Sequence, residues 1–295
     1  MALDVEDDLR VQELRGLDQL DTFETRRPLG RRVWDAAWPK LAALALALAG
    51  WQALAATGWK AEAGFSGPGP VAEELWATLT NKYADNGLPT IWEAIRVTMT
   101  RGIVGFLLAT VVGLLLGVAV SQSRVLRAAI GSLITGLQTM PSIAWFPLAL
   151  LLFGIDESAI LFVILIGSVP SIANGVISGV DYVPPLLVRA GRNLGAGRVD
   201  LYRHVIVPAA LPSIVSGLKQ GWAFSWRSLL AGELLVAIAN RPSLGQFLQA
   251  SRETQDTNYM IALMIIILAI GILVDVVFNA FDNRLRRRRG VSPQP

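Results

Sequence analysis

The stretch Arg189-Ala-Gly-Arg-Asn-Leu-Gly-Ala-Gly-Arg-Val-Asp-Leu-Tyr-Arg-His-Val-Ile-Val-Pro208 decides how the whole chain is read. It holds four arginines and the only histidine, His204, and long apolar segments flank it on both sides. A run this polar has no place in hydrocarbon, where one central charge costs about 3 kcal/mol or more. Its apolar residues Leu186, Leu187, Leu194, Leu201, Tyr202 and Val205 recur at helical spacing. Pro184 and Pro185 can open a helix, and Gly195 can close one. Residues 181–208 therefore read as a short helix, a glycine turn and a second short helix at a membrane face.

Composition agrees. Of 295 residues, 53% are hydrophobic and 17% charged, against roughly 25% charged in a soluble domain. The fold class expected is all-α, a polytopic membrane protein with about six transmembrane helices. The absence of cysteine excludes disulfides, thiol nucleophiles and cysteine metal sites. A lone histidine argues against a histidine metal centre. The first 40 residues are charged rather than apolar, so no cleavable signal peptide is read there.

Outward from that stretch, the chain divides into a tail (1–38), a first span (39–58), an extracytoplasmic segment (59–94), a core (95–283) and a basic tail (284–295). Residues 1–25 are acidic and leucine-spaced, read either as a disordered tail or as an amphipathic surface helix. Arg26, Arg27, Arg31 and Arg32 follow as an anchor. Val71–Thr80 suggests a short helix. The remaining spans are expected near 97–120, 128–153, 159–180, 209–239 and 259–281. The third is interrupted around Pro141 and Pro147, and the fourth is broken at Pro170. Asn240–Thr257 is read as a polar loop. Gly113 and Gly117, four apart, either permit close helix approach or reflect the general frequency of glycine in membrane helices.

Six spans put both termini on one side. That side carries 18 of the 26 Lys and Arg residues, the opposite side six, and two lie inside the fifth span. Basic residues concentrate in cytoplasmic loops, so both termini and residues 181–208 are expected in the cytoplasm.

The motif now carries a resemblance. Arg189-Ala190-Gly191, three residues, Gly195, nine residues, Val205, one residue, then Val207-Pro208 resembles the EAA loop of ATP-binding-cassette importer permeases. Arg189 replaces the family glutamate, Gly191 the second alanine, and valines the later Ile and Leu. The blocks LQTMPSIAWFPLALLLFGI (137–155) and PAALPSIVSGLKQGWAFSWRSLLAGELL (208–235) are similar to permeases of the nitrate, sulfonate and taurine importer group, aliphatic-sulfonate permeases above all. The resemblance spans about residues 70–285. It implies the type I importer permease fold and a prokaryotic inner-membrane location. The implied partners are a second copy of the chain, two ATP-binding subunits inside, a substrate-binding protein outside and the surrounding lipid; nucleic acid is not among them. No Gly-x-x-x-x-Gly-Lys-Ser/Thr loop occurs here, so ATP and Mg are expected on the partner ATPase and no cofactor on this chain. The chain is expected to be a transport subunit and not an enzyme. Its cargo is expected to be a small anion, an alkanesulfonate or taurine, with nitrate or bicarbonate as the alternative. An ion-driven secondary transporter would need internal repeats and coupled acids, for which Asp275 and Glu233 are the only resources.

By the resemblance, Arg189, Ala190, Gly191, Leu194, Gly195, Leu201, Tyr202, Val205, Val207 and Pro208 are the ATPase-coupling residues. Arg189 is either solvated or paired with an acid on the ATPase. Pore candidates are Gln138, Ser142, Asn174, Lys219, Ser225, Arg227 and Glu233, since charges and polar groups in spans need partners or water. Lys219 and Arg227, eight apart, lie near one helix face and offer an anion path. Otherwise Arg227 pairs with Glu233 or Asp275, and Lys219 reaches to the inner edge. Trp222 and Trp226 read as packing or interfacial residues. With no concentrated charge cluster in the spans, the expected pore is weakly selective and the binding protein chooses the cargo.

Overall fold

The computed structural model describes residues 29–59, 64–81, 89–239 and 241–288, all of them helix or short connection. The acidic tail (1–25) and residues 289–295 lie outside the described part, whereas the start of the basic tail (284–288) continues the last helix. Helix α1 (Leu29–Ala56) begins ten residues before the expected span, and its apolar window runs from Ala37 to Ala56. Trp34, Trp38, Leu41, Leu44 and Leu46 are all exposed on it, as suits a helix whose solvent is lipid. It belongs to a unit separate from the rest of the described chain.

The second unit starts with α2 (Pro68–Leu79), opened by Pro68 at its first turn. Helix α3 (Ile91–Gln122) has a full capping box: the Thr90 hydroxyl accepts from the Glu93 amide, and the Glu93 carboxylate accepts from the Thr90 amide. Helix α4 (Arg124–Thr139) ends before Pro141, a 3₁₀ turn follows (Ser142–Trp145), and α5 (Phe146–Phe153) leaves at 103° to α4. The expected interruption is thus a sharp bend, and by length and apolarity the two arms fit either one broken span or a re-entrant loop. Helix α6 (Glu157–Asp181) is not broken: Pro170 sits inside a continuous helix, buried on its neighbours. Helix α7 (Pro185–Asn193), α8 (Arg198–Leu201), a π-helical turn (Tyr202–Ile206) and α9 (Val207–Leu235) follow. The expected polar loop 240–257 contains α10 (Leu244–Glu253), capped by the Ser243 hydroxyl, which accepts from the Gln246 amide. Helix α11 (Thr257–Arg288) closes the fold.

Helix α6 is the central element. Lipid is as apolar as leucine, so close packing, not exclusion from water, holds such helices together. At the crossing with α9, a Cβ on Gly175 would stand 2.6 Å from the Gly217 Cα, so the two backbones touch. Helix α3 uses Gly113 and Gly117 in the same way, with added Cβ atoms 2.7 Å from Ile172 Cβ and 2.6 Å from Val176 Cβ. The close-approach reading of that pair is the one the fold adopts. Phe146, Ile160, Ile164 and Leu229 fill the core between α5, α6 and α9. Ile91, Leu244 and Leu263 join α3, α10 and α11.

Candidate functional site

Helix α7 ends as its sequence requires. Gly195 takes φ +82°, and its amide donates to the Arg192 carbonyl at 2.9 Å. The Ala196 amide donates to the Gly191 carbonyl at 3.0 Å, which completes a Schellman end. The chain then restarts at Arg198. The second short helix does not stop, because α8 runs through the π turn directly into α9. The wide turn has a cause in Pro208, whose ring would press on the His204 carbonyl in a regular helix and which has no amide to offer. The Val207 amide instead reaches back to the Tyr202 carbonyl.

The residues expected to couple to the ATPase fall into two sets. Leu201 is buried with Val183, Ile206 and Ala210, and Tyr202 and Val205 pack on that cluster. Gly191 is buried too, with Leu201 Cδ1 2.8 Å from where a Cβ would be. These residues hold the segment to its own membrane helices. Arg189, Ala190, Leu194 and Gly195 face outward, Leu194 at 88% exposure, along with Leu186 and Val199. Val207 is exposed and Pro208 partly so. Arg189, Arg192, Arg198 and Arg203 are exposed on the same segment, with Asp200 as the acid among them, so it presents both apolar and basic side chains. Arg189 is the fifth of nine residues in α7, beyond reach of either helix end, so the helix dipole neither favours nor penalises it.

Two further ties anchor the segment. The Tyr202 and Ser121 hydroxyls are 3.2 Å apart, which links the π turn to the end of α3. Arg127 donates to Asp181 at 2.5 Å and to the Ser121 carbonyl at 3.1 Å, joining α4 to the last turn of α6.

The pore candidates do not form one group. Ser142 and Ser228 share a hydrogen bond of 2.7 Å, and Gln138 reaches Ser171 at 3.5 Å. Asn174 is half-buried on α6. Ser225 is fully buried, and its hydroxyl has no partner among the described residues. Lys219 and Arg227 do share a cavity, of about 490 Å³, with Ser216, Gln220, Trp222, Trp226 and Asp275. Lys219 pairs with Asp275 at 3.0 Å and donates to Asn279 at 2.7 Å. Arg227 lies over the Phe224 ring at 5.5 Å. Trp222 and Trp226 stack on each other beside Phe278, as packing residues.

Glu233 stands apart. It is 1% exposed, and its carboxylate accepts from Arg101 at 2.5 Å, from the Thr98 hydroxyl at 2.9 Å and from the Gly245 amide at 3.3 Å. Arg101 also reaches Glu157 at 3.2 Å, and Arg241 holds Glu157 at 2.6 Å. The pairing of Arg227 with Glu233 or Asp275 is therefore not the one found, since both acids have other cations. A concentrated charge cluster does exist at the end of the spans opposite the coupling segment. Outside the spans, hydrogen bonds from the Ser158 hydroxyl and amide hold the Asp156 carboxyl below the usual aspartate range.

A family model described as "Binding-protein-dependent transport system inner membrane component" matches residues 109–287, from mid-α3 through α11. The chain belongs to this family. It is the permease subunit of an ATP-binding-cassette importer, a multi-pass inner-membrane transport component with no ATPase of its own. The family works with ATPase and binding-protein partners and generally as a dimer. The permease is similar to the taurine transport system permease TauC of Escherichia coli K12, 30% identical over 196 residues that cover 66% of this chain and 70% of TauC. It is 29% identical over 210 residues to the nitrate import permease NrtB of Synechocystis (70% and 75% covered). It is 30% identical over 272 residues to the bicarbonate transport system permease CmpB of Synechococcus elongatus (85% and 93% covered). Among solved structures, an inward-facing form of the MetNI methionine transporter superimposes with a TM-score of 0.54 at 21% identity. It covers 66% of this chain and 94% of its own, a likeness of fold.

Proposed function

We propose that two copies of this permease form the path of an importer for a small anion, an alkanesulfonate or taurine. The observation that carries the reading is the exposure of leucines, a valine and several arginines across residues 186–199, on a segment continuous with membrane helix α9. Exposed apolar residues together with arginines suit a groove on an ATP-binding subunit, which binds the ATP and Mg. The arginines call for acids in that groove, with Arg189 in the place of the family glutamate as one contact. The excess of basic residues places both termini and this face in the cytoplasm. A substrate-binding protein then delivers cargo at the opposite end.

Helix α9 supplies the path. Ser216, Gln220 and Arg227 recur on its exposed side, and Lys219 opens into the same cavity. Such a stripe is costly against lipid tails and needs a water-filled path or a second copy beside it. Asp275 offsets Lys219, so Arg227 supplies the attraction for an anion. The only acids the sequence offered to an ion-gradient mechanism are both engaged by cations, which favours the ATP-driven reading.

The sulfonate assignment draws on the similarity to TauC and on the sequence blocks; NrtB and CmpB keep nitrate and bicarbonate as the second reading. Growth of a strain dependent on this importer decides between them. The expected result is growth on taurine or alkanesulfonate as sole sulfur source and no dependence for nitrate. In the same strain, Leu194→Asp and Arg189→Glu should each cut co-purification of the ATP-binding subunit. Undiminished recovery of that subunit would remove the docking assignment.

A further inference from the structure

A second cavity, at the end opposite the coupling segment, is unused by the path along α9. It measures about 380 Å³ and is lined by Arg96, Thr100 and Arg101 of α3, Glu157 and Leu161 of α6, and Arg241, with Val97 and Val104 completing the wall. Three guanidiniums and one carboxylate border it. Glu157 is already neutralised between Arg241 and Arg101, and Arg101 is held from behind by Glu233. Asp156, the next acid along the chain, is drawn to Ser158 and lends Arg241 some further negative charge. Arg96 is exposed and has no carboxylate at ion-pair distance among the described residues. The Arg101 Nε is buried and lacks an acceptor there. The cavity is thus short of negative charge and of acceptors on one side, and aliphatic on the other.

We infer that this cavity is a receiving site for an oxyanion on a short apolar stem. Arg96 and Arg241 take the head, and Val97, Val104 and Leu161 take the stem. Guanidinium forks match the paired oxygens of a sulfonate. A bare nitrate makes the head contact and leaves the aliphatic wall unfilled. The inference rests on the anion-import reading and on its orientation, which puts the cavity at the outer mouth. The same chemistry, a charged oxyanion with an apolar stem, is offered by a phospholipid phosphate from the outer leaflet.

The test measures binding of radiolabelled ethanesulfonate to the permease–ATPase complex in nanodiscs, without binding protein. Arg96→Gln should weaken binding at least tenfold and leave recovery of the ATP-binding subunit unchanged. Val104→Ser should weaken ethanesulfonate several-fold and leave nitrate competition unaltered. In the lipid arm, Arg96→Gln instead lowers the phospholipid retained after detergent washing, with no ethanesulfonate binding in either protein; that result keeps the oxyanion site and assigns it to lipid. Unchanged ethanesulfonate binding together with unchanged lipid retention overturns the site. Failure of the intact importer to take up any anion would overturn the underlying reading instead.

Discussion

Arg101 and Glu233 stand 132 residues apart in the chain and meet at 2.5 Å, with side chains 4% and 0% exposed. The contact clamps α3 to α9, and through the Gly245 amide and the Thr98 hydroxyl it also fixes the start of α10. A carboxylate at the first turn of a helix meets unpaired amides and the positive end of the dipole. The clamp is a joint of three elements and not a simple ion pair.

Removing one member of such a buried pair strands the other. Arg101→Met should destabilise the permease by about 3–5 kcal/mol, whereas Arg101→Met combined with Glu233→Met should recover much of the loss. Thermal unfolding of the detergent-solubilised protein measures both. Equal damage from the single and double variants would show that the pair is not the unit of stability.

Two glycines of one helix type should respond oppositely. Gly217→Ala sets a methyl 2.7 Å from the Gly175 Cα and forces α9 away from α6. A cost of about 1–3 kcal/mol follows, as for overpacked cores. Gly136 in α4 has nothing within 4 Å of an added Cβ, so Gly136→Ala should be neutral or slightly stabilising. Melting temperatures of the two variants, side by side, provide the check.

At Gly195 the space is open but the backbone is left-handed, at φ +82°. Gly195→Ala should therefore cost about 1–2 kcal/mol from conformation alone, and Gly195→Asn less. Amide exchange across residues 185–201 should quicken in the alanine variant, with the ATP-binding subunit recovered less efficiently.

Asp156 caps α6 as a carboxylate, and its folded pKa is lowered by Ser158. A lowered folded pKa gives stability that is present above the ordinary aspartate value and lost as pH falls through the folded one. Asp156→Ala should accordingly melt below the wild type at neutral pH, and the gap should close in acid. Asp156→Asn keeps a neutral cap and should show a weaker pH dependence. Melting curves at stepped pH separate the three.

Much of this was legible in the residues. Apolar run length marks the spans because a bilayer sets a minimum length for each. The bend near Pro141 and the turn at Gly195 could be read because each rests on one residue's backbone chemistry. The close approach at Gly113 and Gly117 was visible as a spacing. Helix α10 was missed although Ser243-x-x-Gln246 announces a capped start. In the sequence Pro170 reads as a break, yet packing against α3 and α9 carries the helix through it. The clamp could not be read, because Arg101, Glu157, Glu233 and Arg241 sit on separate elements and nothing local joins them. Ser225 looked like a lining residue from its polarity, but its face of α9 turns inward.

The union of α8 with α9 has a mechanical meaning. Residues 198–235 form one 38-residue span, about 57 Å if helical throughout. Pro208 and Pro212, which lack amide donors, lie in its first half near the π turn. Bending compliance is thus gathered at the docking end, and the remainder can swing as a stiff arm. A tilt of about 10° at Pro212 would carry the far tip, about 35 Å along the helix, by roughly 6 Å. That tip is Leu235, two residues beyond the carboxylate that Arg101 grips, so a push received at one membrane face would arrive at the other as strain on that buried joint.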